Sequence, residues 1–252
     1  MKKFLFLLIA PILILNVNLR ASQSKNYQFK AIIFDMDGTI LNTEVVWDEA
    51  NHHILTTYAP HLDEKETQEL LHTLKNLPLQ DGRKLMQATC SVAISIDQII
   101  EEKTNYVLDV YANKGISFIP FFIEFHAAIS ELGIKTAVAT NATQHSVNCI
   151  VQQVPLKNYF ATHIYTIDHV NQIYKPQPDV YLHAAAMIGI DPQDCIAIED
   201  TLNGIKAAKA AGMYCIGINT GKNRKNLELA DEIVECFSEI DIKKLFNIEN
   251  RP

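Results

Sequence analysis

The 252-residue chain lacks several things that would steer a functional reading elsewhere. It has five cysteines but no CxxC pair, so neither a zinc ribbon nor a thioredoxin-like dithiol has support. An odd cysteine count also fits a disulfide framework poorly. Cys195 and Cys215 fall in apolar, strand-like runs and read as small buried hydrophobes. Basic runs longer than pairs such as Lys2-Lys3 and Lys243-Lys244 are missing, and the net charge is −7. That excludes the electrostatic footprint of a nucleic-acid binder. Internal repeats and low-complexity segments are also missing. With 48% hydrophobic and 20% charged residues the composition is globular.

No apolar run reaches the roughly 20 residues that a membrane-spanning helix needs. The longest, Phe4 to Leu15, follows Lys2 and Lys3 and precedes a polar stretch. That order is the pattern of a secretory signal, with Ala21 as a weak cleavage position. The expectation is a signal peptide directing export to a periplasmic or similar compartment. A retained leader, the only route to a membrane, and a cytoplasmic chain are the alternatives. Residues 1–24 are set apart from the fold.

What is present is a series of short β-branched runs: 30–34, 135–140, 163–167, 195–200, 214–219 and 232–234. Continuous apolar runs suit strands buried on both faces of a parallel sheet. Helical stripes alternate with them, as in Phe122, Phe125, Ile129 and Leu132. Pro178 opens one helix, and Gly212 closes the Ala-rich helix before it. The class is α/β, a doubly wound parallel sheet with right-handed crossovers. No strand pattern falls between Trp47 and Lys114. Leu70, Leu71, Leu74 and Leu77, then Ile96, Ile99, Ile100, Val107 and Val110, space out as amphipathic helices. The expected organisation is a core of 25–46 and 115–252 with an all-helical insert over 47–114.

Ligands of open α/β sheets bind beyond the carboxyl ends of the strands. Four such ends carry polar residues here: Asp35 and Asp37; Thr140 and Asn141; Lys175, some way past the third strand; and Glu199 and Asp200. Any one of them has an ordinary explanation as a turn, a cap or a solvated loop. Their joint order, each after its own strand, does not. Carboxylates converging on one crevice repel each other and call for a cation. Oxygen ligands without His or Cys select Mg²⁺. An aspartate, ionised at neutral pH, can attack phosphorus without a base. Thr140 and Lys175 can hold phosphoryl oxygens, and a second carboxyl can move protons.

FDMDGTILNTE, VATNA and YKPQPDVYLHAAAMIGIDPQDCIAIEDTLNGIKAAKAAGM together resemble the motifs of the haloacid dehalogenase-like hydrolase superfamily. The resemblance runs from about Lys30 to Ser238, in the branch with a helical cap after the first strand (the β-phosphoglucomutase and phosphoglycolate phosphatase-like members). It implies a flavodoxin-like core and a cap that closes over substrate. It implies Asp35 as nucleophile and Asp37 as general acid/base. Asp35, the Asp37 carbonyl and Asp200 would bind Mg²⁺, with Glu199 in or beside the shell, and Thr140, Asn141 and Lys175 would hold phosphate. Dehalogenases of the superfamily lack the second acid, so Asp37 argues for phosphoryl transfer.

The expected activity is Mg²⁺-dependent hydrolysis of a small phosphorylated metabolite, with oligomeric state left open. The alternatives are a phosphomutase using the same phospho-aspartate and, more remotely, a phosphate-binding module. Departures from the pattern bear on substrate. Phe121 follows Pro120 where the family has glycine, Asn76 replaces a cap glycine, and Leu79 stands where mutases carry a cap arginine. Arg83 and Lys84 are nearby cations. Trp47 and Tyr58 read first as packing residues, Asp168 as a strand-end residue of open role. His52 and His53, adjacent on a helix, do not share a face and make a poor metal pair.

Overall fold

The computed structural model describes residues 29–77 and 79–247. The leader lies outside the described residues, as do the side chains of Asn76 and Leu79. Six parallel strands form one sheet: β1 (Ala31–Phe34), β2 (Lys135–Ala139), β3 (Ile164–Tyr165), β4 (Cys195–Glu199), β5 (Tyr214–Ile218) and β6 (Glu232–Val234). Their order is β3-β2-β1-β4-β5-β6. The order reverses at β1, which places the topological switch point at its carboxyl end.

The helices before β2 are α1 (Glu44–Tyr58), α2 (Glu64–Asn76), α3 (Leu79–Thr89), α4 (Ile96–Lys114) and α5 (Phe122–Glu131). After it come α6 (Gln144–Ile150), α7 (Leu156–Phe160), α8 (Asp179–Ile188), α9 (Leu202–Ala210) and α10 (Ile242–Phe246).

β1 shows why the runs are continuous rather than alternating. Ile32 and Phe34 pack into one layer with Phe122, Phe125 and Phe160. Ala31 and Ile33 pack into the other, against Ala184 and Ala185 of α8 and Ala207 and Ala208 of α9. Successive side chains of a strand point to opposite faces, so burial of both faces requires four apolar residues in a row. Phe34 lies 5.9 Å from the ring of Phe122 and 5.6 Å from that of Phe160, both edge-on. An aromatic of this kind stabilises the fold by about 3–5 kcal/mol relative to alanine. It also fixes the backbone immediately before Asp35.

The run over 163–167 yields only two strand residues. Ile167–Val170 turns into a 3₁₀ segment instead. The cause is local: the Thr166 amide donates to His169 Nδ1, so the chain caps its own turn at the sheet edge. Pro178 sits one position before α8, at its N-cap. Gly212, at φ 83°, follows Ala211 as expected of a glycine past a helix end.

Of the helices between β1 and β2, the first four, α1 to α4, pack together. Their own small core contains Ile54, Leu55, Leu71, Met86, Ile94 and Ile99. The outgoing and returning segments run side by side. The Asn42 amide donates to Ser117 O at 2.9 Å, and that of Ile119 to Ile40 O at 2.8 Å. This paired neck carries the four helices over the carboxyl ends of the strands. No helix among the described residues is long and apolar enough to cross a membrane. All five cysteines are free thiols.

Candidate active site

Asp35 leaves β1 with its amide donating to Ile198 O of β4, at 2.9 Å. The next residues fold back at once: the amides of Ile40 and Leu41 both donate to Met36 O. Gly38, at φ 82°, makes that turn possible, and a Cβ there would collide with the Asp200 carboxylate. The glycine thus has two duties, the turn and the close approach of the fourth strand end. Thr39 Oγ1 donates to Asp200 Oδ1 at 2.8 Å and fixes that carboxylate.

Lys175 ties three strand ends together. Its Nζ donates to Asp35 Oδ1 at 2.5 Å, to Glu199 Oε1 at 2.7 Å and to Ala139 O at 2.8 Å. The lysine is only 3% exposed. Burial opposes its charge, but Asp35 and Glu199 outweigh that and hold its pKa above the ordinary value. Removing one partner would leave an uncompensated buried charge, a loss of about 3–5 kcal/mol.

Glu199 is fully engaged by protein donors. Tyr181 Oη donates to its Oε1 at 3.0 Å, alongside Lys175. Its Oε2 accepts from the amides of Asp200 and Thr201 and from Thr201 Oγ1. Asp35, Glu199 and Asp200 each offer an oxygen within 4.8 Å of the others. The cluster is therefore all-oxygen and strongly acidic, the donor set of a hard cation such as Mg²⁺. Without a cation the carboxylates disfavour ionisation. Burial raises Asp35 to about 8, against the pull of Lys175 and with a further push from Glu199. Burial and then Asp35 and Glu199 raise Asp200 well above the ordinary range.

Asp37 points away from this cluster. Its Oδ1 accepts from Thr43 Oγ1 at 2.8 Å and from Trp47 Nε1 at 3.2 Å. Burial raises its pKa, and those two donors restrain the rise. Asn141 Oδ1 accepts from the Lys175 amide at 3.0 Å, which leaves its Nδ2 as a donor. Thr140 Oγ1 accepts from the Ala142 amide at 3.0 Å, which leaves its hydroxyl proton available. A cleft of about 330 Å³ opens over Asp37, Asn141, Lys175 and Asp200. Its far wall is formed by Trp47, Arg83, Met86 and Lys103 of the helices and by Leu77, just past the end of α2. Arg83 also stacks 4.9 Å over the Tyr174 ring, and Asn203 Nδ2 donates to Leu77 O at 3.2 Å.

The structure thus lines one cleft with Asp37, Asn141, Lys175 and Asp200, with Asp35 and Glu199 bonded to Lys175 beneath it and Thr140 buried nearby. Asp168 stands apart: its Oδ2 accepts from the Gln144 amide at 2.6 Å, at the start of α6. His53 stacks on Tyr106, and Tyr58 donates to Glu102. Sequence reasoning missed Tyr181 and Thr43, and it read Trp47 first as packing, with a place in the cap lining second. Nothing in the hydrophobic pattern marks Tyr181, a first-turn residue of α8 whose hydroxyl serves a strand end 18 positions away. Thr43 and Trp47 flank the helix start, where a Thr reads as an ordinary cap.

Residues 29–212 match the family model described as haloacid dehalogenase-like hydrolase. The chain is 27% identical over 225 residues to hexitol phosphatase B of Escherichia coli, covering 86% of this chain and 97% of that one. It is 28% identical to CbbY from Rhodobacter sphaeroides, solved in complex with xylulose-(1,5)-bisphosphate. That match covers 86% of this chain and 99% of the other, with a TM-score of 0.69. The fold is shared with a β-phosphoglucomutase from Clostridium difficile at 20% identity and a TM-score of 0.70, covering 89% of this chain and all of that one.

Proposed function

The chain belongs to the haloacid dehalogenase-like hydrolases, and from that premise we propose that it is a Mg²⁺-dependent phosphatase. Its substrate is a small phosphate monoester, a sugar phosphate or similar metabolite, and the intermediate is a phosphate ester of Asp35. The observation that carries this reading is the contact between a buried carboxylate, Asp35, and a buried lysine that lines a cleft also holding Asp37.

Asp35 attacks phosphorus as the bond to the leaving oxygen breaks, and Asp37 gives that oxygen its proton. Asp37, now ionised, takes a proton from water. The water oxygen bonds to phosphorus, the bond to Asp35 breaks, and phosphate leaves. Lys175, Asn141 Nδ2 and the Thr140 hydroxyl hold the phosphoryl oxygens. Asp35, the Asp37 carbonyl and Asp200 would hold Mg²⁺. Glu199, with both oxygens engaged, is better placed to anchor Lys175 than to complete the metal shell. When bound, the cation screens the phosphate from the carboxylates. The sugar-phosphate class is supported by the two cations, Arg83 and Lys103, in an otherwise mixed polar and apolar cleft wall and by the hexitol phosphatase and CbbY relatives.

The test is Asp35→Asn, assayed against a panel of phosphorylated metabolites with and without Mg²⁺. Turnover should fall to background, and beryllofluoride should no longer be trapped on the protein. Near-normal release by the variant would sink the nucleophile assignment. Isomerisation of a hexose 1-phosphate outpacing phosphate release by the unaltered protein would move the reading to a mutase.

A further inference from the structure

Both bonds to the Asp37 side chain fall on the same oxygen. Thr43 Oγ1 and Trp47 Nε1 donate to Oδ1, at 2.8 and 3.2 Å. Thr43 precedes α1 and Trp47 lies in its first turn. Trp47 is held in turn: its amide donates to Thr43 O at 3.2 Å, and Lys103 Nζ of α4 stands 5.9 Å from its ring. An indole N–H only donates and carries no second polar atom to compete for a proton. A cation over the indole face adds attraction and fixes the ring plane. Trp47 and Asp37 line both the main cleft and a neighbouring one of about 210 Å³. The indole is therefore at the reaction site, not merely in a helix interface.

We infer that Trp47 is a positioning residue for proton transfer: its indole N–H, with the Thr43 hydroxyl, clamps Asp37 by Oδ1 and turns Oδ2 toward the leaving oxygen of the substrate. The inference rests on the phosphatase reading above and deepens it. It also gives the helical insert a part in the chemistry. The proton donor sits on the core, but its orientation is set by α1 and, through Lys103, by α4. Geometric placement of a reacting group is worth orders of magnitude, so a clamp of this kind should be visible in rate.

The experiment compares Trp47→Phe with the unaltered protein on two substrates, glycerol phosphate and p-nitrophenyl phosphate. Their kcat/KM values report events only up to phosphorylation of Asp35. The alkoxide of glycerol phosphate needs a proton to leave, and nitrophenolate does not. General-acid assistance contributes about 10²–10⁴-fold, so a displaced Asp37 should cost about tenfold or more with glycerol phosphate. The loss should be much smaller with p-nitrophenyl phosphate. Equal losses on both substrates, or no loss on either, would overturn the inference.

A second measurement does not depend on activity. Trp47 is the chain's single tryptophan, so its fluorescence reports this site alone. Asp37→Ala should shift the emission; a spectrum unchanged from the parent protein would disprove the contact. The phosphatase reading stands or falls on the metabolite panel, while the emission decides independently whether the clamp exists.

Discussion

Phe121 holds φ at 66°, in the left-handed region that a side chain with a Cβ enters at a cost of about 1–2 kcal/mol. It stands where the family motif carries glycine, and half of its ring surface is exposed. The position caps α5, with the Phe125 amide donating to Phe121 O at 3.0 Å, so the turn itself is needed. Phe121→Gly relieves the backbone strain and loses little packing. Greater freedom of the unfolded chain offsets part of that gain. The expected net is about 1 kcal/mol of stabilisation, read as a rise in melting temperature of about 2–4 °C. A fall would mean that the exposed ring contributes packing that its accessibility hides. The sequence revealed this residue as a departure, but its strain is a property of the backbone angle, which sequence pattern alone does not supply.

At the scale of elements, the helices over the crevice are individually weak and depend on their ends. Helix α4 opens with a reciprocal capping box: Ser95 Oγ accepts from the Gln98 amide at 3.1 Å, and Gln98 Oε1 accepts from the Ser95 amide at 2.9 Å. The same helix carries Lys103 to the Trp47 ring and buries Ile99, Val107 and Val110. Ser95→Ala should destabilise the protein by about 1 kcal/mol, seen as a lower urea midpoint with an unchanged slope. A changed slope would show that the insert unfolds separately from the sheet. Such helices were legible because a spacing of three and four survives in sequence. So were the strands, because burial on both faces forces unbroken runs such as Ala31–Phe34. The third strand was overread: HIYTI has strand composition throughout, but a Thr–His turn ends the strand at Tyr165.

At the scale of the whole molecule, four strand ends converge, three of them bearing charge, and the carboxylates there disfavour ionisation without a cation. The carboxyl ends could be placed from sequence because each polar cluster follows its own apolar run. Their partnerships could not: Thr39 reaches Asp200 and Tyr181 reaches Glu199 from other elements, and Thr43, six positions past Asp37, reads as a helix cap. The imbalance has a pH signature. Asp35 sits at about 8 in the metal-free folded chain, against about 3.9 in an unfolded one. Between those values the folded chain holds a proton that the unfolded chain has lost. The associated stability is full below about pH 4 and drains as pH rises toward 8. Asp200 is displaced in the same direction. The raised Lys175 contributes evenly across this window, because its stabilisation is lost only above the ordinary lysine range. His126 and His183, both lowered by burial, act in the opposite sense, so the raw pH profile mixes signs. The difference with and without Mg²⁺ isolates the crevice, because the cation must displace protons from Asp35 and Asp200 at low pH but not at high pH. Adding to chelator-stripped protein one fixed Mg²⁺ concentration, saturating at pH 8, should raise the melting temperature by on the order of 5 °C at pH 8 and by almost nothing at pH 5. Asp200→Asn should remove most of the increment at pH 8. An increment of the same size at both pH values would place the stabilising cation away from these carboxylates.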